Sequence, residues 1–291
     1  IKKLEKESRG IYTGAIGYIN PKKQFCFNVA IRTAHIKKNK GELGIGGGIL
    51  YDSQKEAEHR EALLKADFFT KTNFFPKLIE TILWSKDKGF WLLDLHLIRL
   101  KKSSAYFSFP FYQNKIKKEL EKKVKGKKKD VKIRLLVDSK GKVDFFVTNL
   151  GKKRQPVKVK INSQKIDPDN IFLYHKTTNR DFYERERKRA EKEGFFETIF
   201  LNKFKEVTEG TITNIFLEKK KKLFTPPISC GLLGGVLRKH LIKKKKAFEK
   251  KLYLKDLKEA DKVYLGNSVR GLLEANLITP TRCDNLGKNE N

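Results

Sequence analysis

Lys176 stands in the stretch YHKTTNRDFY, residues 174–183, after a histidine and before two threonines and an asparagine, whereas most lysines of this chain sit in runs of their own kind. An apolar strand end, NIFLY, runs straight into it. Such a setting strips water from an ammonium group and favours the neutral amine, which can form a Schiff base with a carbonyl. Glu209, in EVTEGTITNIF, falls at a turn leading into a strand, where its carboxyl can point inward beside a ring nitrogen. An acid placed there keeps that nitrogen protonated and turns the ring into an electron sink. The Gly234-Gly235 pair in CGLLGGVLRKHL precedes a helical pattern, so the backbone N–H groups of Val236 and Leu237 are candidates for holding a phosphate. Arg99 in LHLIRL and Ser268 in YLGNSVRGL supply the guanidinium and hydroxyl that commonly complete such a cup. Singly, each has a plainer reading as a surface lysine, a turn or a strand cap. Their joint order is what a phosphorylated carbonyl cofactor needs.

The elements that must position these groups follow from the patterning. Residues 1–66 hold short apolar runs between glycine-rich turns (RGIYTGAIGYI, FCFNVAIRT, GELGIGGGILYDS) and close with QKEAEHREALLKADFF. Two or three strands and a helix are predicted there, a unit too small and too rich in glycine for a complete α/β domain. From FFPKLIETILW the pattern changes. A strand ending near Trp84, a turn at SKDKG and a second strand FWLLDLHL predict a hairpin, with IRLKKSSAYF opening a helix. Residues 114–129 read as a lysine-rich surface helix, followed by VKIRLLVD, KVDFFVTN and QPVKVKI as antiparallel strands of an α+β layer ending near Asp167. Beyond it, DFYERERKRAEKEG and GGVLRKHLI predict helices, and FETIFLN, TITNIFLE and KVYLGNS predict strands. The expected segments are 1–66, 67–170 and 171–291, of mixed α+β and α/β character.

The 291 residues carry 66 basic against 34 acidic side chains, a formal charge of +32, and most of the excess is lysine. A specific nucleic-acid binder clusters arginine and aromatics on one face; here runs such as Lys219–Lys222 and Lys243–Lys246 fall where helix ends and turns belong, as solvated lysine does. Cys26, Cys230 and Cys283 are too widely spaced for a disulfide framework or metal cluster, which suits a reducing compartment. With no membrane-length apolar run and no signal-peptide pattern, the reading is cytoplasmic. A chain that begins at Ile1 and contains no Met is not expected to start where its natural protein starts.

From about Phe75 to Ile278 the series ET, LDLHLIRL, HKTTNRDFY, EVTEGTITNIF, GLLGGVLR and LGNSVRGL resembles, motif by motif, the fold-type IV pyridoxal phosphate enzymes. That group contains branched-chain and D-amino-acid aminotransferases and 4-amino-4-deoxychorismate lyase. The resemblance implies two mixed α/β domains, pyridoxal 5'-phosphate as cofactor, a small-molecule substrate and a homodimer. It makes Lys176 the Schiff-base lysine, Glu209 the partner of the pyridine nitrogen, and Arg99 a phosphate ligand. Val236 and Leu237 become the backbone phosphate cup and Ser268 a further phosphate contact. Gly234 stands where relatives of the lyase often have proline. The first segment, through IRT, GIGGGI and QKEAEHREALLKA, is similar to the C-terminal end of the chorismate-binding domain shared by aminodeoxychorismate synthase component I and anthranilate synthase component I. That likeness implies that Arg32, Gly46, Gly47 and Gly48 hold chorismate carboxylates. It also implies that Glu58 and Glu61, on one helical face, bind Mg2+ in an intact synthase half, which works with a glutamine amidotransferase subunit. Most of that domain is missing here, so amination of chorismate is not expected.

Joined in this order, the two resemblances imply a lyase that converts 4-amino-4-deoxychorismate to 4-aminobenzoate, a folate precursor, and pyruvate. A branched-chain or D-amino-acid aminotransferase would share the cofactor shell and stays open. A lysine-rich polyanion binder accounts for the charge but not for the ordered motifs.

Overall fold

The computed structural model describes residues 3, 5, 8–38, 40–70, 76–151 and 155–278; Cys283 lies outside them. The chain divides into two units, Ile1–Phe75 and Pro76–Asn291. In the first, β1 (Ala15–Ile19) and β2 (Phe25–Val29) form one antiparallel ribbon, and β3 (Ala34–Lys37) and β4 (Lys40–Leu43) form another. Helix α1 (Lys55–Thr70) follows. Four strands are present where two or three are predicted, because AHIK, which lies between the quoted apolar runs, forms β3 and pairs with β4. A two-stranded ribbon has no second layer to bury a face against. Ile16, Tyr18, Ile19, Phe25 and Phe27 are accordingly all half exposed or more.

The second unit opens with β5 (Leu78–Ser85) and β6 (Gly89–Phe90), then α2 (Leu93–Tyr106), α3 (Gln113–Val124), β7 (Val131–Val137) and β8 (Val143–Asn149). The strands make an antiparallel sheet in the order β6-β5-β7-β8. Side chains alternate across a strand, so β7 sends Val131, Ile133, Leu135 and Val137 into a core with Leu97 and Leu100 of α2 and Ile116, Leu120 and Val124 of α3. The last three recur every fourth residue, one stripe of a helix. The predicted strand FWLLDLHL is different: only Gly89 and Phe90 pair with β5, and Leu92, at φ 56°, turns the chain into α2. Leu93, Leu97 and Leu100 share a helical face, a period that a short apolar run does not disclose.

Strand β9 (Val157–Ile166), read in sequence as an antiparallel partner of β7 and β8, instead lies in a second sheet, parallel to two neighbours. That sheet adds β10 (Glu197–Asn202), β11 (Val207–Gly210), β12 (Asn214–Lys219), β13 (Lys222–Thr225), β14 (Ala247–Glu249), β15 (Lys262–Asn267) and β16 (Gly271–Leu277). Its order is β11-β10-β9-β16-β15-β12-β13-β14, and β11 also pairs with β12. Six strands therefore close into a ring, sealed by the pair Glu209–Asn214, with β13 and β14 as an extension. Val159, Ile199, Val207, Ile215, Leu265 and Leu273 belong to its core. Helices α4 (Asp181–Lys192), α5 (Val236–Lys243) and α6 (Leu254–Lys258) complete the unit.

Candidate active site

The apolar segment before Lys176 is a 3-10 turn, Ile171–Leu173, and not the end of a strand. What holds the lysine is β5. Ile79 N–H donates to the Lys176 carbonyl (2.7 Å), Thr178 N–H to the Lys77 carbonyl (2.8 Å), and Lys77 N–H to Thr178 Oγ1 (3.0 Å). One strand thus carries the lysine segment on its edge while its own side chains line the space in front. Burial, helped by the Arg180 and Arg99 charges and opposed by Glu80 and Glu209, lowers the Lys176 pKa to about 7. A large share of this amine is therefore neutral and nucleophilic near neutral pH.

Glu209 sits within β11, at the seam that closes the ring, rather than at a turn before a strand. Its carboxyl is buried and accepts a hydrogen bond from Asn214 Nδ2 (3.2 Å). Burial pushes its pKa up to about 8, against the backbone N–H of Leu233, Arg180 and Lys176, which pull it down. The loop between β11 and β12 is gathered by Glu197, fully buried. Its oxygens accept from Thr198 N (3.1 Å), Thr211 N (2.9 Å), Thr211 Oγ1 (2.6 Å), Ile212 N (3.0 Å) and Thr213 Oγ1 (3.1 Å). Arg180 Nη2 donates to the Thr211 carbonyl of the same loop.

Helix α5 begins beside this seam. Gly235 is its cap, and a Cβ there would come within 1.8 Å of Asn214 Oδ1, so only glycine fits. Asn214 Nδ2 also donates to the Leu233 carbonyl (3.0 Å), which ties the helix start to Glu209. The first N–H groups of a helix lack partners within it, which leaves those of Val236 and Leu237 for an anion. The Leu237 side chain itself packs in a core with Phe216 and Leu241. Ser268 lies in the turn between β15 and β16, held by Asn267 Oδ1, which accepts from Val269 N and Arg270 N at 3.0 Å each.

Arg99, on α2, is gripped by Glu80 of β5: Nε to Oε1 at 2.8 Å and Nη2 to Oε2 at 2.6 Å. Its Nη1 reaches the Gly234 carbonyl at 3.5 Å. His96 Nδ1 is 2.6 Å from Glu80 Oε2. Burial works against ionising Glu80, yet the Arg99 charge and then His96 hold it at about 2. Neither Glu80 nor His96 received a role from the sequence, although both lie inside the quoted motifs. The same is true of Arg180 and Tyr183 in HKTTNRDFY and of Asn214 in TITNIF.

Lys176, Glu209, Arg99, Val236 and Ser268 all line one cavity of about 1000 Å3, whose other walls carry Thr81, Arg180, Tyr183 and Asn214. These residues fit pyridoxal phosphate. Glu209 is a buried carboxyl whose burial a protonated ring nitrogen would offset, and the Tyr183 hydroxyl is buried without a hydrogen-bond partner among the described residues. The glycine cap lets the Asn214 side chain pack against the start of α5.

In the first unit, Arg32 is an exposed loop residue at φ 51°. The Gly46 carbonyl accepts from Lys65 Nζ (3.1 Å), a Cβ on Gly47 would lie 3.5 Å from Glu58 Oε2, and Gly48 faces open space. Glu58 accepts from Ser53 Oγ (2.7 Å), and Glu61 is paired with Lys65 (2.8 Å). No group of three or more His, Cys, Asp or Glu able to hold a metal is found among the described residues.

Residues 77–278 match the family described as amino-transferase class IV, and residues 1–71 match the one described as chorismate binding enzyme. The chain belongs to the class IV aminotransferase family, whose fold-type IV members depend on pyridoxal phosphate. Its first segment is 42% identical over 66 residues to anthranilate synthase component 1 of Cereibacter sphaeroides, which is 23% of this chain and 13% of that protein. It is also 42% identical over 62 residues to an aminodeoxychorismate synthase of Arabidopsis thaliana, 21% of this chain and 7% of that one. The chain therefore spans a small part of those relatives. A Thermotoga maritima protein that carries the name branched-chain-amino-acid aminotransferase is 29% identical over 189 residues, 61% of this chain and 68% of that one. Among solved structures, one named as an amino-acid aminotransferase of Mesorhizobium loti superposes with a TM-score of 0.66 at 32% identity, covering 69% of this chain and 99% of that one. One of Legionella pneumophila that carries the name 4-amino-4-deoxychorismate lyase gives 0.62 at 24% identity, covering 70% and 83%, a likeness of fold.

Proposed function

We propose that the unit from Pro76 onward converts 4-amino-4-deoxychorismate to 4-aminobenzoate and pyruvate, with pyridoxal phosphate held at Lys176. The observation that carries this reading is the join: a class IV unit follows a segment matching chorismate-binding enzymes, whose product class would supply the amine. Pyridoxal phosphate, when bound, supplies an electron sink for the carbon bearing the substrate's amine. Glu209 holds the proton at the ring nitrogen. Arg99, Ser268 and the N–H groups of Val236 and Leu237 hold the phosphate. Lys176 Nζ, with its pKa near 7, takes the proton from the amine-bearing carbon. Loss of the enolpyruvyl group then leaves an aromatic ring. The unit is proposed to act as a homodimer, which its native mass tests.

A second reading, transamination of a branched-chain or D-amino acid, is favoured by the Thermotoga maritima relative. The deciding experiment incubates the cofactor-loaded protein with aminodeoxychorismate, and separately with leucine or D-alanine plus 2-oxoglutarate. Equal release of 4-aminobenzoate and pyruvate is expected. Glutamate formation without 4-aminobenzoate would replace the lyase by the aminotransferase.

A further inference from the structure

Two donors on one turn of α2 meet a single carboxylate of β5. His96 and Arg99 are spaced i, i+3, so they share a helical face, and both reach Glu80. Glu80 Oε1 accepts from Arg99 Nε at 2.8 Å, and Oε2 lies 2.6 Å from both Arg99 Nη2 and His96 Nδ1. Burial opposes its ionisation, but the Arg99 charge and then His96 outweigh that, so Glu80 is a carboxylate that only accepts. The proton in the short contact therefore sits on His96 Nδ1. Burial, against the pull of Glu80, lowers the His96 pKa, which leaves the ring neutral near neutral pH and Nε2 bare. Nε2 is buried with no hydrogen-bond partner among the described residues, so the contact to Glu80 is the ring's one polar tie there.

What this does to Arg99 follows from the shape of the guanidinium. Its N–H groups lie in one plane, and Glu80 takes the edge made by Nε and Nη2. The remaining nitrogen, Nη1, is left beside the glycine pair ahead of α5, 3.5 Å from the Gly234 carbonyl. Arg99 and Val236 line the same cavity, whereas His96 is not among the residues that line it. An arginine free to turn about its bonds would spread that edge over many directions. A carboxylate that is itself pinned by a second donor leaves the edge one direction, towards the first N–H groups of α5.

We infer that His96 is a positioning residue for the cofactor's phosphate: by holding Glu80 Oε2 it fixes the carboxylate that aims Arg99 Nη1 at the start of α5. It touches neither cofactor nor substrate and acts only through Glu80 and Arg99. The inference rests on the reading of Arg99 as a phosphate ligand. A histidine that merely filled the core would, when replaced, weaken every ligand of the cavity alike. A positioning histidine weakens only the ligand that carries a phosphate.

The test compares pyridoxal 5'-phosphate with pyridoxal, which has the same ring and aldehyde but no phosphate, by equilibrium dialysis against the full cofactor-free chain. In His96→Leu the affinity for pyridoxal 5'-phosphate is expected to fall about tenfold and that for pyridoxal to stay within about twofold. His96→Asn, whose amide N–H can occupy the place of Nδ1, should regain most of the loss. Leu97→Val opens the neighbouring core position; it should lower the melting temperature and leave the ratio of the two affinities at the wild-type value. Arg99→Ala should lose the ratio, and adding His96→Leu to it should change nothing further. Equal losses for both ligands in His96→Leu, an asparagine no better than the leucine, or additive losses in the double variant overturn the positioning role. If His96→Leu does not fold, NMR of the wild type with isotope-labelled histidine decides: the ring whose signals are missing from His96→Asn should carry its proton on Nδ1, and a proton on Nε2 alone overturns the inference. An Arg99→Ala chain with the wild-type ratio would sink the reading of Arg99 as a phosphate ligand and this inference with it. A ratio lost there but kept in His96→Leu would sink the role of His96 alone.

Discussion

Lys176 owes its reactivity to where β5 holds it, since an exposed lysine keeps its proton to well above pH 9. With the pKa lowered to about 7 by burial and by Arg180 and Arg99, the reactive amine fills in over two pH units around that value. When pyridoxal phosphate is added to cofactor-free protein, the initial rate of absorbance growth should rise about tenfold per pH unit below pH 7 and level off above pH 8. A rate still climbing at pH 9 would show that Lys176 is an ordinary lysine. Lys176→Ala should give no such absorbance at any pH. At Glu209, replacement by Gln keeps the shape but cannot hold a ring nitrogen protonated. Turnover should fall by about 100-fold or more with the cofactor still bound, within the range for loss of a positioned proton-holding group. A Glu209→Gln variant with wild-type kcat would remove Glu209 from the mechanism.

At the scale of elements, the closing pair Glu209–Asn214 and the start of α5 form one structure through Asn214, which donates to Glu209 and to the Leu233 carbonyl. Gly235→Ala would drive a methyl group into Asn214 Oδ1 and displace that side chain. Cofactor affinity, measured by equilibrium dialysis, should drop about tenfold or more, as expected for loss of a charged hydrogen-bond contact at the phosphate and ring. Gly234→Ala is the matched control. Its Cβ would lie 3.3 Å from the flexible Ile228 Cδ1, and retention close to wild type is expected. Equal losses in the two variants would mean that the glycines serve the turn rather than the helix cap.

For the whole molecule, the second unit holds its own cores and all of the cavity, whereas the β1–β2 ribbon exposes Tyr18, Ile19 and Phe25. Removing residues 1–75 should therefore leave the melting temperature of the remainder within a few degrees and the rate of the proposed lyase reaction within about twofold, since no buried core of that unit is cut. Chorismate with ammonia should yield no aminodeoxychorismate from the full 291-residue chain, because no group of three or more side chains able to hold a metal is found among its described residues and Mg2+ held by two carboxylates alone is weak. Amination, or collapse of the proposed lyase reaction on truncation, would make the first segment a working part. No helix among the described residues is long and apolar enough to cross a membrane.

Residue type and order singled out Lys176, Glu209, the glycine pair and Arg99 as candidates, because a nucleophile, a proton holder and an anion cup each demand particular chemistry, and Lys176, Glu209, Gly235 and Arg99 line one cavity. Alternation was enough for β7 and a fourfold stripe for α3, since burial of one face writes its period into the chain. Other features depended on partners far along the chain. Glu80 and Arg99 are 19 residues apart and meet only because α2 folds back on β5. Strand β9 lies parallel between β10 and β16, a pairing set by the register of distant strands and not by its own residues. Arg134 reads as one more exposed cation in an alternating strand until the sheet's outer face becomes a cavity wall. Local sequence specifies which face of an element is apolar; which surface the other face meets is decided by the closure of the ring and the placement of the two sheets around Lys176.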